Sequence, residues 1–78
     1  MKIKNTQQLH ALESAIDRCN HCVWLESAQG EFYDLKNEID RYRGLGRLLS
    51  DSGEELELYT NAREDTAIML DFFRQLIA

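Results

Sequence analysis

The stretch Cys22-Val23-Trp24-Leu25-Glu26-Ser27-Ala28-Gln29-Gly30-Glu31-Phe32-Tyr33-Asp34-Leu35-Lys36 decides the fold. Val23 and Leu25 alternate with Trp24 and Glu26, and Tyr33 and Leu35 alternate with Phe32 and Asp34. Successive side chains of a strand point to opposite faces, so this two-residue period reads as two strands with one aliphatic side each. Ala28-Gln29-Gly30 supplies the turn between them, and the segment predicts a β-hairpin.

Upstream of the hairpin, Ile3 between Lys2 and Lys4 suits a short strand. Thr6 then suits the cap of a helix whose apolar residues Leu9, Leu12, Ile16 and Cys19 recur at helical spacing. Downstream, Asn37 with Asp40 three residues on opens a second helix, with Ile39, Tyr42, Leu45 and Leu49 along one side and Asp51-Ser52-Gly53 as its stop. Leu56 and Leu58 alternate with Glu55, Glu57 and Tyr59 in a further strand. Asn61 with Glu64 forms a capping-box pattern, so a last helix is expected from near Ala62. Its Ala67, Met69, Leu70, Phe72, Phe73, Leu76 and Ile77 cover more of the circumference than one sheet-facing stripe requires.

The predicted order is β-α-β-β-α-β-α, in the α/β (α+β) class. A sheet with one apolar face closes its core only if the helices pack on that side, giving a two-layer, open-faced sandwich with three helices on one face. Trp24, Phe32 and Tyr59 would then share the uncovered face. No proline and no Gly/Ser-rich or like-charge run divides the chain, so residues 1 to 78 are read as one domain.

Composition bounds the function. Hydrophobic residues at 44% and charged residues at 29% suit a folded globular chain rather than a disordered one. Nine Lys and Arg against fourteen Asp and Glu leave a net charge of -5, the wrong sign for a nucleic-acid partner. No apolar run approaches the roughly 20 residues of a bilayer span, so no membrane is expected. Met1-Lys2-Ile3-Lys4-Asn5 runs into polar Gln7 and Gln8 rather than an apolar stretch, and a cytoplasmic location is the expectation.

Val23-x-Leu25, Gly30 in the turn, Asp34-Leu35-Lys36-Asn37 at the start of the second helix, and the strand and helix start between Glu55 and Glu64 resemble the HPr phosphocarrier family of the phosphoenolpyruvate-dependent sugar phosphotransferase system. The resemblance spans nearly the whole chain on short motifs. It implies an antiparallel four-stranded sheet with first and last strands adjacent and three helices on one face. It also implies a phosphorylatable His before the first helix, with an Arg beside it, and a regulatory Ser opening the second. Here Asn5-Thr6-Gln7-Gln8 stands where that family has its His-Ala-Arg-Pro pattern, and Asn37 stands at the Ser. The chain is thus similar to the degenerate HPr-like proteins of Gram-positive bacteria: a non-catalytic interaction or regulatory module, not an enzyme, taking a protein partner or a second copy and no cofactor. The alternative reading is a phosphocarrier-type protein phosphorylated on a displaced His10.

Among individual residues, Trp24, Phe32 and Tyr59 are candidate partner contacts, as are Arg41, Arg43 and Arg47, a basic patch that could receive a carboxylate or phosphate. The solvated alternative pairs those arginines with Glu38 and Asp40. Cys19-Asn20-His21-Cys22 is a Cys-x-x-Cys with a further soft ligand, but it falls at a helix C-terminus, where the dipole disfavours thiolate. A fourth zinc ligand is missing, since His10 lies nine residues before Cys19, so no metal is expected and both cysteines are read as reduced. Gly44-Leu45-Gly46 lies inside a helical pattern, with no strand before it, and reads as a site of close packing rather than a nucleotide fingerprint.

Overall fold

The structure is a computed structural model that describes residues 3 to 50 and 56 to 77. The elements are α1 (Thr6–Arg18), β1 (Val23–Glu26), β2 (Phe32–Asp34), α2 (Glu38–Leu48), β3 (Glu57–Thr60) and α3 (Arg63–Ile77). The class is α+β, with three helices and an antiparallel sheet of three strands in the order β2-β1-β3.

The hairpin forms as its period predicts. Trp24 pairs with Asp34, Leu25 with Tyr33 and Glu26 with Phe32. Gly30 takes the turn at φ 85, a conformation open to glycine without a Cβ penalty. The buried Ser27 side chain accepts the Glu31 N–H at 3.1 Å, and the Ser27 N–H donates to the Glu31 carbonyl at 2.9 Å, locking both sides of the turn.

Val23, Leu25, Tyr33 and Leu35 from the hairpin, with Leu56 beside β3, join Leu12, Ala15 and Ile16 of α1, Leu48 of α2 and Met69 and Phe72 of α3 in one core. α2 sits against the sheet at Gly44, where an added Cβ would lie 2.9 Å from the Tyr33 Cβ. The close packing expected at Gly44-Leu45-Gly46 therefore belongs to Gly44 alone and is helix on sheet; Gly46 faces open space.

Several expectations need correction. The four-stranded sheet and the leading strand of the predicted order are not found among the described residues, where Ile3 and Lys4 belong to no strand. Ile3 is buried in the core, but the next backbone N–H, that of Lys4, donates to the Gln8 side chain at 2.8 Å and so serves the start of α1. Asn5, not Thr6, caps that helix, accepting the Gln8 N–H at 2.8 Å. Of the expected apolar side of α2 only Leu45 packs against the core; Ile39 is 72% exposed, Tyr42 84% and Leu49 56%, because Gly44 and Leu48 occupy the side that meets the sheet. Asn61 turns its side-chain Oδ1 to accept the Cys22 N–H at 3.2 Å, bridging the approaches to β1 and α3. The helix stop at Asp51-Ser52-Gly53 and the Glu55 position lie outside the described residues.

Candidate functional site

The sheet has one covered face and one open face. On the open face the ladder sets Trp24 between Asp34 of β2 and Tyr59 of β3, and Glu26 between Phe32 and Glu57. Trp24, Phe32 and Tyr59 therefore share the face opposite Val23, Leu25 and Tyr33, as strand alternation requires. The Trp24 and Tyr59 rings stack with centroids 5.8 Å apart. Phe32, at the outer strand, stays 60% exposed, and Tyr59 38%. Tyr59 donates its hydroxyl to Glu57 at 2.7 Å, and that bond to a carboxylate holds the phenol above its usual range.

At the β2 end of this face a cavity of about 320 Å³ opens between Trp24, Phe32, Asp34 and Asp40, with Cys22 and Asn61 at its side. Asp40 reaches it from the first turn of α2, where its Oδ2 accepts the outward-pointing N–H of Asp34 at 3.3 Å. That bond occupies a donor on the free edge of β2, the kind of group through which sheets add further strands. The Trp24 Nε1 is buried and has no hydrogen-bond partner among the described residues, so the indole is held by stacking and packing alone.

The expected basic patch is largely spent within the molecule. Arg41 donates its Nε to the Leu35 carbonyl at 2.7 Å and pairs with Asp17 of α1 at 2.9 Å, tying α2 to α1. Arg47 meets Glu31 and the Tyr33 hydroxyl, each at 3.2 Å, and the bond to Glu31 raises its pKa further. Arg43 alone keeps an exposed head, 3.8 Å from Asp40 and 5.8 Å from the centre of the Tyr33 ring. The solvated pairing therefore applies to Arg43 with Asp40, whereas Arg41 and Arg47 take partners from other elements.

Asn5 and Asn37 both act as helix caps. Asn37 accepts the Asp40 N–H at 3.0 Å as Asn5 accepts that of Gln8. A second cavity, of about 250 Å³, lies beside Asn5 between the start of α1 and the end of α3, lined by Gln7, Gln8, Gln75, Phe72 and Leu76 among others. Among the described residues no charged side chain lines it. His10 is exposed on α1, outside that cavity, and makes no hydrogen bond or ion pair among the described residues.

The Cys-x-x-Cys loop is held by a group that local pattern did not single out. The Asp65 carboxylate, fully buried in the first turn of α3, accepts the N–H groups of Asn20 at 3.0 Å and His21 at 2.8 Å. His21 also contacts Glu64 at 3.1 Å. Burial, with the Asp65 charge next, pushes the Cys19 thiol upward and keeps it protonated, while Cys22 is exposed and free. Among the described residues no group of three or more His, Cys, Asp or Glu could hold a metal ion, and no helix is long and apolar enough to cross a membrane. The only cue to Asp65 in the sequence was an acid in a helix's first turn, which ordinarily faces solvent.

Compared with family models, curated proteins and solved structures, the chain has no match.

Proposed function

We propose that this chain is a non-catalytic interaction module, an HPr-like domain without the family's phosphosites, whose open sheet face receives a protein partner in the cytoplasm. The observation that carries the reading is the face itself: Trp24, Phe32 and Tyr59 lie together on the side of the sheet opposite the core, with no helix over them among the described residues. Full burial of an exposed aromatic ring is worth roughly 1.5–3 kcal/mol, of which Phe32 forgoes the larger part and the less exposed Trp24 and Tyr59 a smaller share, and such clusters anchor interfaces.

Two further features support the HPr-like part. The strand order leaves β3, the last strand, at an edge with β1 as its one partner among the described residues, which is where the family plan sets its first strand. At the other end, Asn5 caps α1 beside a cavity with no cation in its lining among the described residues, a poor cradle for a phosphoryl group.

Two measurements test the proposal. Incubated with phosphoenolpyruvate and the phosphotransferase system's first enzyme, the protein should gain no acid-labile mass; a gain abolished by His10→Ala would replace this reading with the phosphocarrier one. The wild-type chain, immobilised in cytoplasmic extract, should retain a protein that the Trp24→Ser, Phe32→Ser variant loses. Equal retention by both would remove the open face as the docking surface.

A further inference from the structure

The open face is acidic as well as aromatic. Its six ladder positions hold Trp24, Phe32 and Tyr59 with Glu26, Asp34 and Glu57, and no Lys or Arg among them. The cavity at its β2 end concentrates both properties, with two aromatic rings, Trp24 and Phe32, and two carboxylates, Asp34 and Asp40.

Both carboxylates are oriented by neutral donors, and among the described residues only Asp40 has a cation near it. Asp34 uses Oδ1 to accept the Lys36 N–H at 2.9 Å, and Asp40 uses Oδ2 for the Asp34 N–H. Neither bond brings a charge. Among the described residues the one ion pair in the cavity lining joins Asp40 Oδ1 to Arg43 at 3.8 Å, with the Arg43 side chain 64% exposed. Exposed pairs of this kind contribute about 0–1 kcal/mol.

We infer that this cavity takes the guanidinium of an arginine presented by the protein partner, an inference that rests on the interaction-module reading. A cation gains from the Trp24 and Phe32 rings and from the carboxylates together, and the charge it must displace is that of the exposed Arg43, 3.8 Å from Asp40. An anion would meet two negative charges at contact distance. A neutral apolar side chain would gain the rings but strip water from the carboxylates without replacing it. Among cations, the guanidinium fits better than an ammonium. It is planar, so it can lie against an aromatic ring; it is more weakly hydrated, so an apolar wall costs it less; and its forked donors match a carboxylate.

Trp24 is the single tryptophan of the chain and lines the cavity, so its fluorescence reports occupancy directly. The full chain is titrated at low salt with three synthetic peptides of equal length, Ac-Gly-Arg-Gly-Arg-Gly-amide and its Lys and Glu counterparts. The Arg peptide should give a saturable change in Trp24 emission with at least tenfold higher affinity than the Lys peptide, and the Glu peptide should give none. Asp34→Asn, which keeps the size of the side chain, and Phe32→Ala, which trims an exposed ring, should each weaken the Arg peptide about tenfold or more while circular dichroism is unchanged. Equal response to Arg and Lys peptides, no saturation, or Arg binding indifferent to both substitutions would overturn the inference. If the open face still retains its partner when the peptides fail, the module stands without the arginine; if partner retention fails as well, both fall.

Discussion

Gly44 and Gly46 stand one turn-half apart on α2, and the structure gives them opposite fates on substitution by alanine. At either position the change removes backbone freedom from the unfolded chain and raises helix propensity by about 0.8–1.0 kcal/mol. At Gly46 nothing lies within 4 Å of the new Cβ, so that gain is kept whole. At Gly44 the Cβ would stand 2.9 Å from the Tyr33 Cβ, 3.2 Å from Leu35 Cδ2 and 3.3 Å from Leu25 Cδ1. The two leucine methyls can yield, but the Tyr33 Cβ is fixed to a paired strand, so α2 must lift from the sheet. Overpacking of this kind costs about 1–3 kcal/mol. Because the propensity gain is common to both variants, their difference isolates the clash. In thermal unfolding followed by circular dichroism, about 1 kcal/mol corresponds to roughly 4–8 °C for a chain of this size. Gly46→Ala should therefore melt above the parent, and Gly44→Ala should melt below Gly46→Ala by at least about 4 °C. Equal midpoints for the two variants would refute the seating of α2 on the sheet at Gly44.

Asp65→Ala should cost about 2–4 kcal/mol in urea unfolding, because it leaves the Asn20 and His21 N–H groups without their charged acceptor; an unchanged midpoint would remove Asp65 as the clasp of the Cys-x-x-Cys loop. The Cys19 pKa is raised above its ordinary 9.0 by burial, so above about that pH the unfolded chain releases the thiol proton while the fold retains it. That share of stability is present below pH 9 and lost as pH rises toward the folded pKa, and Cys19→Ala should flatten the alkaline decline; parallel pH profiles for variant and parent would contradict the burial. Arg41→Gln should cost about 1–2 kcal/mol through its bonds to Leu35 and Asp17, whereas Arg43→Gln should stay within about 0.5 kcal/mol; equal effects would deny Arg41 its bracing role. Sedimentation at micromolar concentration and neutral pH should give a monomer, and a dimer abolished by Trp24→Ser would instead establish self-docking through the open face.

The parts of the fold that local pattern revealed are those that backbone geometry alone imposes. Strand alternation is a property of consecutive residues, so Val23 to Leu35 announces the hairpin, its inner face and two rings of the outer face, and Leu56 to Tyr59 adds the third, without any knowledge of what packs where. The start of α1 was off by one residue because Asn5 and Thr6 are both competent caps, and the choice fell to Gln8, whose side chain reaches back to Lys4. The outward side of α2 was misleading for a deeper reason. Apolar residues mark a core-facing side only when the contact is made by side chains, and here a glycine makes it, letting the helix backbone approach and turning Ile39 and Tyr42 to water. Asp65 and Arg41 were opaque because their partners, Asn20 and Asp17, lie in other elements far away in the sequence. Such contacts exist only once the elements have docked. The candidate site divides in the same way: its aromatic rings follow from strand period, whereas Asp40 joins them only because α2 folds back beside β2.

The charges on the open face also choose between the two kinds of partner proposed for it. Two copies docking face to face would bring Glu26, Asp34 and Glu57 of one against the same three carboxylates of the other, with no Lys or Arg at the ladder positions of either. Stacking aromatic rings across that interface gains about 0.5–1.5 kcal/mol per pair beyond burial. Like charges juxtaposed at an interface cost several kcal/mol, and the apolar rings around them lower the dielectric that would otherwise soften the repulsion. The rings therefore attract a copy that the carboxylates repel, and the conflict disappears only for a partner that brings positive charge to the same rings. What makes the face unsuited to a second copy is the same pairing of Trp24 with Asp34 that suits it to a basic surface.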